Sequence, residues 1–205
     1  MLRSLTAKRL ASMTLHRVHR SGRALWWFSS ADLARLGAGG RFDLRPPNGS
    51  CYLATTTTTA VLETLQDFSA GLVPASALRA RSISTVTVPA GAPPAANLVA
   101  RASAGAGVSV ALWADGDRSL TQRWAEELHA AGWQALYHGA SHEPTGRGRS
   151  VTLFDLSGAH EPWGDHWGAP SVEPLLSEQT IDLLAEHGIA VSDLRPSLEL
   201  RTDWR

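Results

Sequence analysis

Arg41, Tyr52 and Glu63 stand 11 residues apart in the first third of a 205-residue chain, and each is of a type that can act on a nucleotide. Arg41 follows the glycine turn Gly37-Ala-Gly-Gly40, which lets a guanidinium approach a phosphate closely and grip it with two hydrogen bonds. Tyr52 offers a flat ring on which a heteroaromatic ring can stack. Glu63 supplies a carboxylate, the group that stabilises an oxocarbenium-like transition state at a sugar C1. Cutting the bond between nicotinamide and ribose in a pyridine dinucleotide asks for all three. A surface arginine, a core tyrosine and a solvated helix glutamate would show the same spacing, and on spacing alone that plainer reading comes first.

The elements that must hold these residues can be read from the pattern. The segment 14–19 alternates as a strand does, 25–28 is a short apolar run of the same kind, and 51–54 reads as a buried strand carrying Tyr52. The threonine run at 55–59 offers several N-caps for a helix that runs to about Phe68, with Val61, Leu62, Leu65 and Phe68 on one face and Glu63 outside its middle. Residues 31–36 suggest one helical turn, and 82–88 a strand ending at Pro89. The stretch 90–107 is expected to be a loop with one helical turn. An amphipathic helix is predicted over 119–131, with Leu120, Trp124 and Leu128 as its apolar stripe and Gly132 as its stop. Strands at 134–137 and 151–156 follow, then a Pro/Trp-rich segment at 160–174, a helix at 178–186 and a last strand at 189–191. The mixture has no βαβ regularity and no repeat, which predicts a single α+β domain with a mixed, largely antiparallel core flanked by helices.

Composition narrows the class. Hydrophobic residues make up 43% and charged residues 19%, the balance of a globular chain. A lone cysteine, Cys51, excludes a disulfide framework and a multi-cysteine zinc site and suits a reducing compartment, hence a cytoplasmic protein. No apolar run approaches the roughly 18 residues of a membrane span. Zero net charge and a pI near 7.1 give no nucleic-acid signature. The charge is nevertheless uneven: residues 1–50 hold nine Lys/Arg against two acids, and 151–205 hold three arginines against ten acids. The two ends facing each other, or a basic end meeting an anion, would both account for this. No P-loop, dinucleotide-binding glycine motif, nucleophile elbow or HExxH is present, and Ala104-Gly-Ala-Gly-Val-Ser reads as a loop. The run His160-Glu-Pro-Trp-Gly-Asp-His166 has ligand-type residues but looks more like a packed turn than a metal site.

The ordered series Leu15-His-Arg-Val-His19, Gly40-Arg-Phe, Tyr52-Leu-Ala, Ala60 to Glu63, Gly132-Trp-Gln-Ala-Leu-Tyr, Ser141-His-Glu-Pro and Val151-Thr-Leu-Phe-Asp resembles the RES-domain family from about residue 14 to 156. The resemblance implies a fold similar to ADP-ribosyltransferases and a bacterial toxin encoded beside an Xre-type antitoxin partner. It implies NAD as the substrate, with no metal, and cleavage of the nicotinamide–ribose bond with phosphate or water as acceptor. Transfer of ADP-ribose to a protein and an inactive NAD-binding member are the alternatives. It places the family's arginine on Arg41, its tyrosine on Tyr52, its glutamate on Glu63 and the arginine of the opening strand on Arg17. Its later serine falls on Ala140 or, with a one-residue shift, on Ser141, which would bond the carboxamide. In that frame residues 1–13 are an N-terminal extension and 14–205 the NAD-binding domain, with 157–205 as its acidic C-terminal part.

Overall fold

The side chains of the central strand sort to opposite faces with the period of two that a pleated strand imposes. Cys51 and Leu53 enter one apolar cluster, with Leu10, Leu15, Trp26, Phe28, Leu153 and Trp167. Tyr52 packs against another, built on Phe42, Leu98, Leu128, Leu136 and Phe154. Ala54 joins a third, with Val18, Val61, Leu78 and Leu184. The computed structural model describes residues 2–34, 37–66, 68, 71–114, 116–164 and 167–193.

Among those residues the strands are Ala7–Lys8 (β1), Thr14–Arg20 (β2), Asn48–Ala54 (β3), Leu72–Pro74 (β4), Arg81–Thr87 (β5), Ala95–Asn97 (β6), Ala135–Gly139 (β7), Arg149–Leu156 (β8), Ser171–Pro174 (β9) and Ala190–Ser192 (β10). The helices are Thr57–Thr64 (α1), Ala75–Arg79 (α2), Ala111–Ala114 (α3), Arg118–Ala130 (α4) and Glu178–Glu186 (α5). Eight strands form one sheet in the order β1-β6-β7-β8-β3-β2-β5-β9, and only β6 and β7 run parallel. β4 and β10 form a separate parallel pair. The result is an α+β domain with a large, mostly antiparallel sheet flanked by helices, the class that the mixed sequence pattern predicts.

The sheet is not uniformly zipped. β3 pairs with β8 along its whole length and β2 with β5 along its whole length, but β2 and β3 meet only at His16↔Ala54. Three residues of β2 and three of β3 line the cavity described below, so the site sits where the sheet is least joined.

Several elements differ from the expectation. The run at 25–28 is not a strand: Phe28 makes a single bridge to Gly158, while Leu25, Trp26 and Phe28 are buried as a packed segment. Residues 31–34 form no helix, and 35–36 lie outside the described residues. The stretch 90–107, expected as a loop with one helical turn, has that turn as a 3-10 helix at Arg101–Ala106 but also contains β6. β9, inside the Pro/Trp-rich segment, is an edge strand with all four residues exposed, so it has no apolar alternation to betray it. α1 is capped by Thr56, whose side chain accepts from the Thr59 amide at 3.1 Å, and it closes at Leu65 rather than Phe68. Phe68 still packs on the third cluster from beyond the helix.

α4 begins at Arg118, capped by Asp117, and its buried face is rotated from the stripe expected. Leu128 is buried and Trp124 packs on the second cluster as expected, but Leu120 is 40% exposed, and Thr121, Gln122 and Ala125 are buried instead. The rotation brings two polar side chains, Thr121 and Gln122, against the glycine turn. Residues 2–13, set apart in the sequence as an extension, supply β1 to the main sheet and Leu5 and Leu10 to two of the clusters. Trp133 Nε1 also donates to the Leu2 carbonyl at 2.9 Å.

Candidate active site

A cavity of about 310 Å³ opens between β2, β3, the C-terminal half of α1, the glycine turn and the loop after β7. Arg17, Arg41, Tyr52, Glu63 and Ser141 all line it, and Ala140 is not among the described residues that do. Residues far apart in sequence thus meet on one concave surface.

The glycine turn is held rigidly from behind. Gln122 Nε2 donates to the Ala38 and Gly40 carbonyls at 2.8 and 3.0 Å, Thr121 Oγ1 to the Arg41 carbonyl at 2.6 Å, and Arg118 Nη1 to the Gly39 carbonyl. Asp43, 1% exposed, closes the turn from the other side. Its Oδ2 accepts from the Gly40 amide at 2.6 Å, and its Oδ1 from Tyr52 Oη at 2.7 Å and Ser29 Oγ at 3.0 Å. Tyr52 Oη in turn accepts from the Phe42 amide at 2.9 Å. The tyrosine therefore braces the turn that presents Arg41, besides lining the cavity. Burial, and then the neighbouring Asp43 carboxylate, hold the Tyr52 phenol well above its ordinary range, so it stays a neutral donor. Burial also raises Asp43, against the pull of its hydrogen bonds from Tyr52, Gly40 and Ser29.

Glu63 projects from α1 toward the loop after β7. Its Oε1 accepts from the His142 amide at 2.5 Å, and His142 Nδ1 lies 3.4 Å from the same oxygen. That loop is itself pinned: Glu143 accepts from the amides of Thr145, Arg147 and Gly148, and Ser141 Oγ donates to the Trp113 carbonyl. The carboxylate is fixed in direction by one oxygen while its residue lines the cavity, the arrangement that electrostatic stabilisation of a developing cation requires.

Arg17 is turned largely toward the protein. Its Nη1 donates to the Leu25 carbonyl and to Cys51 Sγ, the latter at 2.7 Å, and Nη2 to the Trp27 carbonyl at 3.2 Å. Burial pushes the Cys51 thiol up, against the Arg17 charge and the Trp27 backbone, which keeps it an inert packing group.

His138 and Arg118 line the cavity and Asp43 braces the glycine turn behind it, and the sequence reading singled out none of the three. His138 Nε2 accepts from Thr152 Oγ1 at 3.0 Å and Nδ1 donates to the Gly139 carbonyl at 2.9 Å, an assignment that fits a neutral ring. Burial lowers its pKa from 6.5 to about 4. The alternation of β7 places it on the face of Tyr52 and Thr152, the only kind of signal that could have found it.

No group of His, Cys, Asp and Glu among the described residues is arranged to hold a metal ion. In the 160–166 run, Asp165 and His166 lie outside the described residues, and His160 stacks on Phe28 with ring centroids 4.9 Å apart. No described helix is long and apolar enough to cross a membrane.

A cavity bearing arginine, tyrosine and glutamate thus opens in an α+β domain, where its mostly antiparallel sheet is least joined. Residues 14–170 match the RES domain model, and the chain belongs to the RES domain family. The fold is also similar to a chain in the crystal structure of the M. tuberculosis MbcT–MbcA toxin–antitoxin complex, with a TM-score of 0.59 over 88% of this chain and 91% of that one, at 16% sequence identity. Comparison with curated protein sequences finds no match.

Proposed function

We propose that this protein is the toxin half of a toxin–antitoxin pair and an NAD-degrading enzyme that cleaves the nicotinamide–ribose bond. The observation that carries this reading is the convergence of Arg41, Tyr52, Glu63 and Ser141 on one cavity of about 310 Å³. Arg41 holds the pyrophosphate. Tyr52 braces the turn and packs against the nicotinamide ribose, and Ser141 bonds the carboxamide. Breaking the C1′–N bond sends its electron pair to the pyridinium nitrogen, and nicotinamide leaves neutral while positive charge develops on the ribose. Glu63 stabilises that charge and orients the ribose hydroxyls, and an oxygen of phosphate, or of water with loss of a proton to solvent, then bonds to C1′. The family membership and the toxin–antitoxin neighbour support an Xre-type antitoxin as partner and a cytoplasmic setting.

The test is nicotinamide release from NAD by the purified protein, with and without inorganic phosphate. Release that depends on phosphate identifies a phosphorylase, and release without it a hydrolase. Label transferred from NAD to a protein band would instead identify an ADP-ribosyltransferase. Folded, partner-free protein that binds NAD and releases nothing would end the enzymatic reading. Glu63→Gln is expected to keep the fold and NAD affinity and to lower turnover by about a hundredfold or more. Near-normal turnover in that variant would remove Glu63 from the mechanism.

A further inference from the structure

Three arginines line the cavity, Arg17, Arg41 and Arg118, and they are differently employed. A guanidinium carries five N–H donors. Three of those on Arg17 reach Leu25, Cys51 and Trp27, tying β2 to the 25–27 segment and to β3. Arg118, the first residue of α4, gives Nη1 to the Gly39 carbonyl. That bond fastens its guanidinium to the turn from which Arg41 emerges two residues later. The nearby Asp43 carboxylate accepts from Gly40, Tyr52 and Ser29, and so has its own donors. Two cavity-lining arginines, Arg118 tied to Gly39 and Arg41 just beyond Gly40, thus stand beside one glycine turn, where a backbone without side chains allows a close approach.

We propose that Arg118 is a phosphate-binding residue of this site, acting with Arg41 across the glycine turn, so that the cavity selects ligands bearing phosphate groups. The proposal rests on the reading of the cavity as an NAD site. The phosphate could belong to the pyrophosphate of the substrate or to an inorganic phosphate acceptor, and the two make different demands on a variant. Arg118→Gln removes the charge, and Arg118→Lys keeps the charge without the planar fork.

If Arg118 holds the pyrophosphate, Arg118→Gln raises KM for NAD by about tenfold to a hundredfold with kcat changed by no more than about threefold. The affinity for inorganic pyrophosphate, titrated calorimetrically, falls in parallel, and Arg118→Lys recovers part of it. If Arg118 holds the acceptor, KM for inorganic phosphate rises and KM for NAD does not. Either result sustains the phosphate site. Unchanged KM for both ligands, with kcat and the unfolding midpoint reduced together, would overturn it and leave Arg118 as a strut for Gly39. Should the native protein release no nicotinamide, the enzymatic reading fails, and the pyrophosphate titration alone judges Arg118. Binding lost in Arg118→Gln then sustains the site, and no binding by the native protein overturns it.

Discussion

His138 couples the cavity wall to pH. Its ring is neutral in the fold because burial lowers its pKa from 6.5 to about 4, with the Arg41 charge a smaller contribution in the same direction. Below 6.5 the unfolded chain takes up a proton that the folded chain refuses, so stability is complete above that pH and is lost progressively toward pH 4. The half-buried His16 and His19 shift in the same direction, while buried Asp43 shifts in the opposite one. Between pH 6.5 and 5 the His138 contribution comes to about 2 kcal/mol. Urea unfolding should show that loss in the native protein and a flatter profile in His138→Gln; parallel profiles would exonerate His138. Arg41, Tyr52 and Glu63 could be picked out from residue type and order, because each carries its chemistry in its own side chain. Asp43 and His138 could not, because a buried acid and a neutral histidine acquire their roles only from the donors and acceptors that surround them.

At the level of elements, the glycine turn is shaped by what lies behind it. A Cβ on Gly40 would meet Asp43 Oδ1 at 2.6 Å and Tyr52 Cε2 at 2.7 Å, as well as the phenol oxygen. Neither neighbour can yield freely, since each is held by further hydrogen bonds. Gly40→Ala is therefore expected to cost about 1–3 kcal/mol by overpacking and to raise KM for NAD as Arg41 shifts. Gly91→Ala, where nothing lies within 4 Å, is the control and should fall within about 0.5 kcal/mol of the native protein in denaturant titration. Equal losses in the two variants would refute the crowding at Gly40. α4 was legible from its apolar spacing and its Gly132 stop, and α5 runs over the residues 178–186 expected for it. The buried face of α4 was misjudged because hydrophobicity alone ranks Leu120 above Gln122. The fold reverses that order, since Gln122 finds two turn carbonyls and Leu120 finds solvent.

Over the whole molecule, the charge asymmetry between the ends was visible in the sequence, but its spatial meaning was not. Of the acidic C-terminal stretch, Asp193 pairs with Arg79 at 3.4 Å, a contact too exposed to contribute much. None of residues 157–193 that are described lines the cavity: β9 extends the far edge beyond β5, and α5 packs with β10. The overall class followed from mixed periodicities, whereas strand order depends on pairings between distant segments that no local pattern encodes. The same non-locality governs how the gene can be trimmed. The shared family sequence begins at residue 14, yet Leu10 is fully buried and β1 pairs with β6. An expression clone starting at residue 14 would uncover the Leu10 site and lose the Leu2 carbonyl that Trp133 bonds, a deficit of several kcal/mol on the scale of about 2–5 for one buried leucine. Such a clone should give aggregated protein or a much lower melting temperature than the full chain. A normal melting curve would show the first 13 residues to be dispensable. Boundaries drawn from what relatives share are therefore unsafe for producing this protein, because its folding unit is larger than its common motif.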